Sequence, residues 1–341
     1  MLEQGYYIFL LVVMILMMLM PNRESNSTIK NTLLFLLLLG LSAIVRLHPH
    51  NDIPVYMESF SLPISSMMSD PYYLKNILFW IPSAFLHQHV FNSEYIVLLL
   101  WDCITFILLL KICNRLKMPS SSVLVYLISF MGLLTLQNIY RQYIATIIVL
   151  YALTFPRSKA IFAYGTFLIS ILIHSSLVLF APVLYLYRRK KALHPILFIG
   201  LLVGTIALLP FVLEKDFSYN TGLNMNKFYL VLVLSVSIFI WQLIRILGSR
   251  MRDPHTLLQS VGYLSVLAVV CFLKMDPSLY YERIALIELQ ILTVFLFQCL
   301  SRLDFPWSSW SRLAAALVLI LPIFFFESTR AMLQNASWLN N

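Results

Sequence analysis

Charged residues are scarce in this sequence, since Asp, Glu, Lys and Arg make up only 11% of its 341 residues. Soluble domains carry about 25% charged residues, so a large water-exposed domain is excluded. Hydrophobic residues account for 60% of the chain. They form runs of roughly twenty without the alternation of barrel strands. The composition therefore predicts an all-α, polytopic membrane protein that forms a single domain over residues 1–341.

Cysteine and glycine are also rare, with four and nine residues. All four cysteines lie in apolar runs, where a thiol is a small buried hydrophobe, so we expect neither a disulfide framework nor a cysteine metal site. The chain has no glycine-rich phosphate loop and no internal repeat of the kind that marks many secondary transporters.

About twelve apolar segments are predicted to cross the membrane. Between the second and third of them, residues 48–93 form an outer loop. Its apolar stretch 72–91 carries Lys75, Pro82 and two histidines, which indicates an interfacial or re-entrant helix. The predicted crossings are residues 2–20, 32–47, 94–113, 121–137, 142–155, 160–173, 176–187, 195–213, 228–247, 257–273, 284–300 and 312–327.

The net charge of +9 would indicate a nucleic-acid partner in a soluble chain. Here the basic residues lie in short loops between apolar runs, so they indicate on which side of the membrane each loop lies. No nucleic-acid partner is expected. With the N terminus outside, most Lys and Arg fall in inner loops, which places both termini in the periplasm or outside space. The first twenty residues lack a basic start and an A-x-A cleavage site, so we expect a retained first span.

The basic loops also constrain the region around His174. Residues 157–159 and 188–191 are basic, and a single helix between them would put the two groups on opposite sides of the membrane. Two short helices that turn near His174 keep both groups inside. The 14 residues from His174 to Tyr187 reach only about 21 Å, and Arg141, 16 residues before Arg157, comes only about 24 Å from the inner face. Both residues are therefore predicted to lie below the outer surface, in an outward-open recess.

Several arginines break the apolar pattern on the outer side. A charge in hydrocarbon costs at least about 2.5 kcal/mol, so each of them needs a reason. The planar guanidinium matches two phosphate oxygens, and a lipid pyrophosphate at the membrane surface fits. Alternatively, Arg46 pairs with Asp52, and Arg283 pairs with Glu282 or Asp276, or each side chain extends to the interface. The outer arginines are Arg46, Arg141, Arg283 and Arg330.

His174 is a candidate general base, because imidazole titrates near operating pH and Ser175 or Ser176 could orient it. Asp52, which lies near Tyr56, is a second candidate. The alternatives are a buried structural histidine and an exposed loop acid.

Other titratable residues are weaker candidates for a functional role. Asp102 and Glu288 lie within predicted spans, where structural pairing with Arg or His is favoured. His48 and His50 form a His-x-His pair, but a metal site needs further ligands, and none is predicted.

Read in order, the outer motifs resemble the EpsG family of Wzy-type polysaccharide polymerases. The resemblance runs from Tyr6 to about Leu300. Family members usually carry Gly shortly before the Asp and often an aromatic after it. This chain has Asn51 and Ile53 there, which affects the loop around Asp52 more than the family assignment. The motifs are Arg46 before Asn51-Asp52 and Tyr56, Arg141-Gln142 with Ala145, His174-Ser175-Ser176 with Pro182, and Arg283 at the start of a late span.

The resemblance implies a bacterial inner-membrane enzyme that joins undecaprenyl-pyrophosphate-linked repeat units into O-antigen, capsule or exopolysaccharide. The lipid-linked oligosaccharide is both donor and acceptor, and no cofactor or metal is implied. A chain-length regulator protein and membrane lipid are candidate partners. The implied fold is the GT-C-like architecture of lipid-sugar polymerases and ligases.

In the mechanism that we expect, Arg141 stabilises the charge that develops on the leaving pyrophosphate, with Arg283 and Arg46 in support. His174 or Asp52 deprotonates the acceptor hydroxyl. The tyrosines among the other candidates shape sugar subsites. The remaining candidate substrate-binding residues are Tyr56, Tyr140, Gln142, Tyr281 and Glu282.

Two other functions stay open at this point: a lipid-linked oligosaccharide flippase or transporter, and a membrane sugar O-acyltransferase. The placement of the arginines on one side, and the lack of repeated halves, favour the polymerase over the flippase. The Arg-rich N-terminal pattern of an acyltransferase is not present.

Overall fold

The computed structural model describes residues 2–19, 28–47, 52–137, 139–212, 226–251, 253–275, 279–304 and 306–325. Within these ranges every regular element is a helix and no strand is present. The all-α prediction is therefore confirmed. The residues His48, His50, Asn51, Asp276 and Arg330 lie outside the described part of the chain.

Long helices alternate with short ones in the first part of the chain. The apolar runs form the long helices, while prolines and polar residues divide the segment that follows α2. The elements are α1 (Leu2–Leu19), α2 (Thr28–Leu47), α3 (Ile53–Phe60), α4 (Ile64–Ser69), α5 (Pro71–Leu74), α6 (Ile77–Leu86), a π-helix (His87–Phe91), α7 (Glu94–Leu116), α8 (Ser121–Ile128) and α9 (Phe130–Gln137).

The second part of the chain begins with short helices and continues with long ones. The elements are α10 (Tyr140–Leu153), a 3-10 turn (Arg157–Lys159), α11 (Ala160–Ile173), a 3-10 helix (Ser175–Phe180), α12 (Ala181–Arg188), α13 (Pro195–Val212), α14 (Asn226–Leu247), a 3-10 turn (Gly248–Arg250), α15 (Pro254–Met275), α16 (Leu279–Leu300), α17 (Trp307–Ile320) and α18 (Pro322–Phe325).

Six helical segments in the described residues are long and apolar enough to cross a membrane. The chain is therefore described as a membrane protein, and the count of twelve crossings stays a prediction. Shorter apolar helices include Gly5–Leu19, Ser175–Arg188 and Pro195–Leu209. The six segments are Thr28–Arg46, Glu94–Leu116, Asn226–Leu247, Pro254–Lys274, Tyr281–Leu300 and Trp307–Phe324.

The predicted crossing at 121–137 is broken into α8 and α9. Ser129 lies between them with extended backbone angles, φ −68° and ψ 162°. The break brings Gly132 against the end of α8, where an added Cβ would lie only 2.1 Å from the carbonyl oxygen of Tyr126. Glycine is required here because the two backbone segments touch.

The chain returns on itself at His174, as the basic loops predicted. Helix α11 ends at this residue, which has extended angles of φ −151° and ψ 111°. The start of α11 and the end of α12 lie together at the other end of this hairpin. There Arg157 Nε donates to the Arg188 carbonyl oxygen at 2.9 Å, and Arg157 Nη2 lies 2.9 Å from Asp253 Oδ2. We call this end of the bundle, where Arg115, Arg157 and Arg188 lie, the basic end.

The outer segment, residues 52–93, is a run of short helices rather than one interfacial helix. The predicted helix at 72–91 is interrupted at Lys75 and Asn76, between α5 and α6. Helix α6 packs against α11, and Trp80 within it has no exposed surface. Gln88 Nε2 donates to the carbonyl oxygens of Phe60 and Leu62 at 2.8 and 2.7 Å, which ties the two ends of the segment together.

Helices α10 and α16 form the centre of the bundle. Almost every described side chain of both is buried, and each packs against several other helices. Both begin at the end of the bundle opposite the basic end, which we call the site end. Their first turns therefore lie within the protein and position the polar residues at the site end.

We predict that Gly132→Ala destabilises the protein by about 1–3 kcal/mol or more, because the new methyl group overlaps a backbone carbonyl oxygen that cannot turn away. Thermal unfolding of the purified protein in detergent measures the effect. Gly200→Ala is the control, since an added Cβ meets nothing within 4 Å there. Equal unfolding temperatures for the two variants would contradict the close approach of α8 and α9.

Candidate functional site

Arg141 lies in the first turn of α10, and the outer segment covers it. Its side chain is 8% exposed, and Nη2 donates to the Tyr72 hydroxyl at 2.8 Å. Three aromatic rings surround the guanidinium, with centroids 5.3, 5.3 and 4.7 Å away for Tyr56, Tyr72 and Trp80. These rings stabilise the cation through their π faces without neutralising it.

The guanidinium of Arg141 keeps two free donors. The Tyr56 hydroxyl interacts with the charge, but Nε and Nη1 form no hydrogen bond within the described structure. Trp80 Nε1 is a further buried donor without a partner there. The first turn of α10 adds the positive end of a helix dipole. Buried donors of this kind are normally satisfied, so the arrangement fits an anionic ligand.

His174 is held at the break between α11 and the following 3-10 helix. Its Nδ1 lies 2.8 Å from Ser176 Oγ, and Gln142 Nε2 makes a longer contact of 3.5 Å with the same oxygen. The Ser175 amide donates to Asn76 Oδ1 at 3.1 Å. The turn that carries His174 is thus attached to α10 on one side and to the outer segment on the other.

Asp52 and Arg283 meet at the rim of the site. Arg283 Nη2 lies 3.9 Å from Asp52 Oδ2, and the two side chains are 35% and 33% exposed. The Tyr56 hydroxyl donates to the same carboxylate oxygen at 3.3 Å. Burial raises the pKa of Asp52, while Arg283 and the Tyr56 hydroxyl partly oppose the shift. A raised pKa brings the carboxyl group closer to the range in which it can accept a proton.

These residues form one cluster. His174 is joined through Ser176 to Gln142, the neighbour of Arg141. The Arg141 guanidinium lies over the Tyr56 ring, and the Tyr56 hydroxyl donates to Asp52, which pairs with Arg283. The sequence separates these four residues by up to 231 positions, but the turn at His174 and the starts of α10 and α16 bring them together. We call Asp52, Arg141, His174 and Arg283 the polar cluster.

The comparison with known families assigns the chain to a family. The sequence model of the EpsG family matches residues 29–340, nearly the whole chain. The chain belongs to the EpsG family. EpsG proteins are Wzy-like polymerases. No curated protein and no solved structure matches the chain.

Arg46 does not join the polar cluster of this EpsG protein, and its role in substrate binding stays a prediction. It is 1% exposed and forms two hydrogen bonds to the Asp102 carboxylate, at 3.1 and 3.2 Å. Its Nη1 donates to the Leu136 carbonyl oxygen at 3.0 Å. All of its donor nitrogens are thus occupied. Arg46 therefore pairs with Asp102, and the alternative that it pairs with Asp52 is wrong. The structural pairing that was expected for Asp102 is confirmed.

Tyr140 belongs to the same buried network. Its hydroxyl donates to Asp102 Oδ1 at 2.7 Å, and its ring lies 4.3 Å from the Arg46 guanidinium carbon. Ser42 also donates to Asp102. Tyr140 therefore positions α10, and with it the adjacent Arg141. Its contact with a sugar stays a prediction.

Other predicted contacts lie in the walls of the site. Tyr281 is fully buried and packs edge-on against Phe272. Glu282 accepts a hydrogen bond of 2.9 Å from the Tyr229 hydroxyl, which joins α14 to α16. Arg283 pairs with Asp52, and the alternative ion pair between Arg283 and Glu282 is not observed among the described residues.

Three outer-segment residues at the site are not among the residues predicted from the sequence. Tyr72 and Trp80 face Arg141, Asn76 accepts from the Ser175 amide, and all three lie in the stretch predicted to be an interfacial or re-entrant helix. The available signal was the density of aromatic residues beside an asparagine in an outer loop. Among the described residues no three metal-ligating side chains come together.

We predict that Asp102→Ala costs about 3–5 kcal/mol of stability, because it leaves the Arg46 charge buried without its counter-ion. The measurement is the unfolding temperature of the purified protein. The double variant Arg46→Met, Asp102→Leu is the matched control, and it should recover most of the loss since neither charge remains. A double variant as unstable as Asp102→Ala would contradict this assignment of the pair.

Proposed function

We propose that this EpsG-family protein polymerises undecaprenyl-pyrophosphate-linked oligosaccharide repeat units on the outer side of the bacterial inner membrane. The observation that supports the proposal most strongly is the buried Arg141 guanidinium with two free donors. A pyrophosphate supplies the oxygens that these donors need, in a site where little water competes. Donor and acceptor would both be lipid-linked oligosaccharides.

The reaction breaks the bond between the sugar C1 and the phosphate oxygen and forms a bond from C1 to an acceptor hydroxyl oxygen. Negative charge grows on the leaving pyrophosphate, so a fixed cation stabilises the transition state more than the ground state. In this proposal Arg141 takes that role, and Arg283, which pairs with Asp52 at the rim of the site, would support it. The chain's own groups are sufficient for this step, and we propose no cofactor.

The acceptor hydroxyl must lose a proton. We propose that His174 Nε2 accepts it, which requires that Nδ1 carries hydrogen and donates to Ser176 Oγ. The Ser176 oxygen has two lone pairs and can accept from His174 and Gln142 together. Asp52 is the second candidate base, but its oxygen is engaged by Tyr56 and Arg283. It would then orient the acceptor or Arg283.

The wider setting is part of the same proposal. We propose about twelve crossings in a GT-C-like arrangement, with both termini in the periplasm, because the basic end carries the clustered arginines expected at the cytoplasmic face. A chain-length regulator would be a protein partner. A flippase remains the rival function. Reconstituted protein that moves lipid-linked sugar across the bilayer without forming a glycosidic bond would favour it.

We predict that Arg141→Ala lowers polymerisation by about a hundredfold or more, because it removes the cation aimed at the leaving group. Arg141→Lys should recover little, since lysine lacks the planar fork. The chain-length ladder of the product and the amount of inserted protein are measured together. Arg245→Ala, an exposed arginine stacked on Trp241, is the control with full activity expected. Long chains from Arg141→Ala would rule out the pyrophosphate role.

We predict that His174→Gln leaves only single repeat units, because the amide cannot take up the proton, and that Ser176→Ala has a smaller effect through the orientation of the ring. The product ladder and the pH dependence of the rate are the measurements. His194→Gln, in an exposed loop, is the control. Normal ladders from His174→Gln together with single units from Asp52→Asn would assign the base to Asp52.

A further inference from the structure

Arg312 in α17 is a second buried arginine with free donors. Its side chain has no exposed surface, and Nη2 makes one long hydrogen bond of 3.3 Å to Ser309 Oγ. Nε and Nη1 have no partner, and no acid pairs with this residue among the described side chains. A permanent charge that is buried without a counter-ion is strongly destabilising, so the site calls for an anion.

The position of Arg312 along α17 corresponds to the membrane surface at the basic end. The loop before α17 carries Asp304, which pairs with Arg250 at 2.6 Å. Trp307 and Trp310 on the same helix are 71% and 57% exposed, as expected for tryptophans at headgroup level. Arg312 lies two residues beyond Trp310, which is about 3 Å along the helix axis. The guanidinium is therefore close to the depth of lipid phosphates.

The helices around Arg312 offer further polar groups. Ser308 and Ser309 are buried in the first turn of α17. Helix α17 packs against α1, α8, α9 and α16, and α8 begins with Ser121 and Ser122, whose buried hydroxyls have no partner in the described structure. Serine hydroxyls at two helix starts are suitable donors to phosphate oxygens.

We propose that Arg312 binds the phosphate of a phospholipid headgroup in the leaflet at the basic end. Nε and Nη1 of this guanidinium leave donors free for phosphate oxygens, and a lipid supplies that group at the right depth. The protein covers the guanidinium in the structure, so lipid binding in this proposal requires the side chain to extend along its stem toward the membrane surface. This site is separate from the polar cluster, which lies at the site end of the bundle.

The test measures lipid binding by the full-length protein in detergent. Phosphatidylglycerol is titrated while the unfolding temperature is followed, and native mass spectrometry counts retained lipid. For the original protein we expect a rise in unfolding temperature and one retained phospholipid. Arg312→Gln should weaken the response about tenfold or more, because charge-assisted hydrogen bonds are lost. An undiminished response in Arg312→Gln would overturn the proposal.

The controls separate this site from general charge effects. Arg250→Gln removes one positive charge from the same end, where the side chain is 57% exposed, and should keep the full response. If Arg250→Gln loses the response as Arg312→Gln does, the binding is diffuse and the proposal fails.

Two further titrations use the protein without substitutions, so their results do not depend on the folding of a variant. Diacylglycerol has the same tails without phosphate, and an equal rise in unfolding temperature with it would overturn the proposal. Inorganic phosphate tests the free ion. A full rise with inorganic phosphate and no further rise with phosphatidylglycerol would assign the site to free phosphate instead of lipid.

Discussion

A guanidinium group that is held away from water needs hydrogen-bond acceptors or an anion. This requirement explains how the three arginines that are buried in the described part of the bundle differ. Arg46 meets it fully, since Asp102 and a backbone carbonyl oxygen take all of its donor nitrogens. Arg141 meets it partly, through one tyrosine hydroxyl and three aromatic rings. Arg312 has only a single long contact to a serine. The degree of satisfaction separates a structural arginine from two candidate binding residues.

The polar cluster forms because helices end inside the protein. A helix that crosses the whole bundle would place its ends in the headgroup region, where water satisfies the terminal amides. Here α10 starts and α11 stops below the outer segment, so their ends are closed by protein. Asn76 takes the Ser175 amide, and the Arg46–Asp102–Tyr140 network fixes the start of α10. The Arg46–Asp102 pair thus holds Tyr140 in place. The next residue is Arg141, which we propose binds pyrophosphate.

The polar residues at the core of the site were predictable because each of them breaks an apolar pattern. Arg141, His174, Asp52 and Arg283 were all identified this way. The turn at His174 followed from the requirement that two basic loops share one side of the membrane. Arg46 broke the pattern equally well, but its partner could not be predicted from the sequence. Asp102, its partner, lies 56 residues away in a different helix, and nothing in the local sequence connects the two.

The sequence by itself determined that the chain folds in a membrane and that it is helical. It also determined which few charged residues break the apolar pattern, because a charge in hydrocarbon is costly in any helical membrane fold. Only the tertiary structure decided which charge finds which partner. That choice depends on distances of 3 to 4 Å between side chains on separate helices, such as the 3.9 Å between Arg283 and Asp52. It also decided that the outer segment covers Arg141, since Tyr72 in α5 and Trp80 in α6 reach that side chain through the packing of α5 on α6 and of α6 on α11.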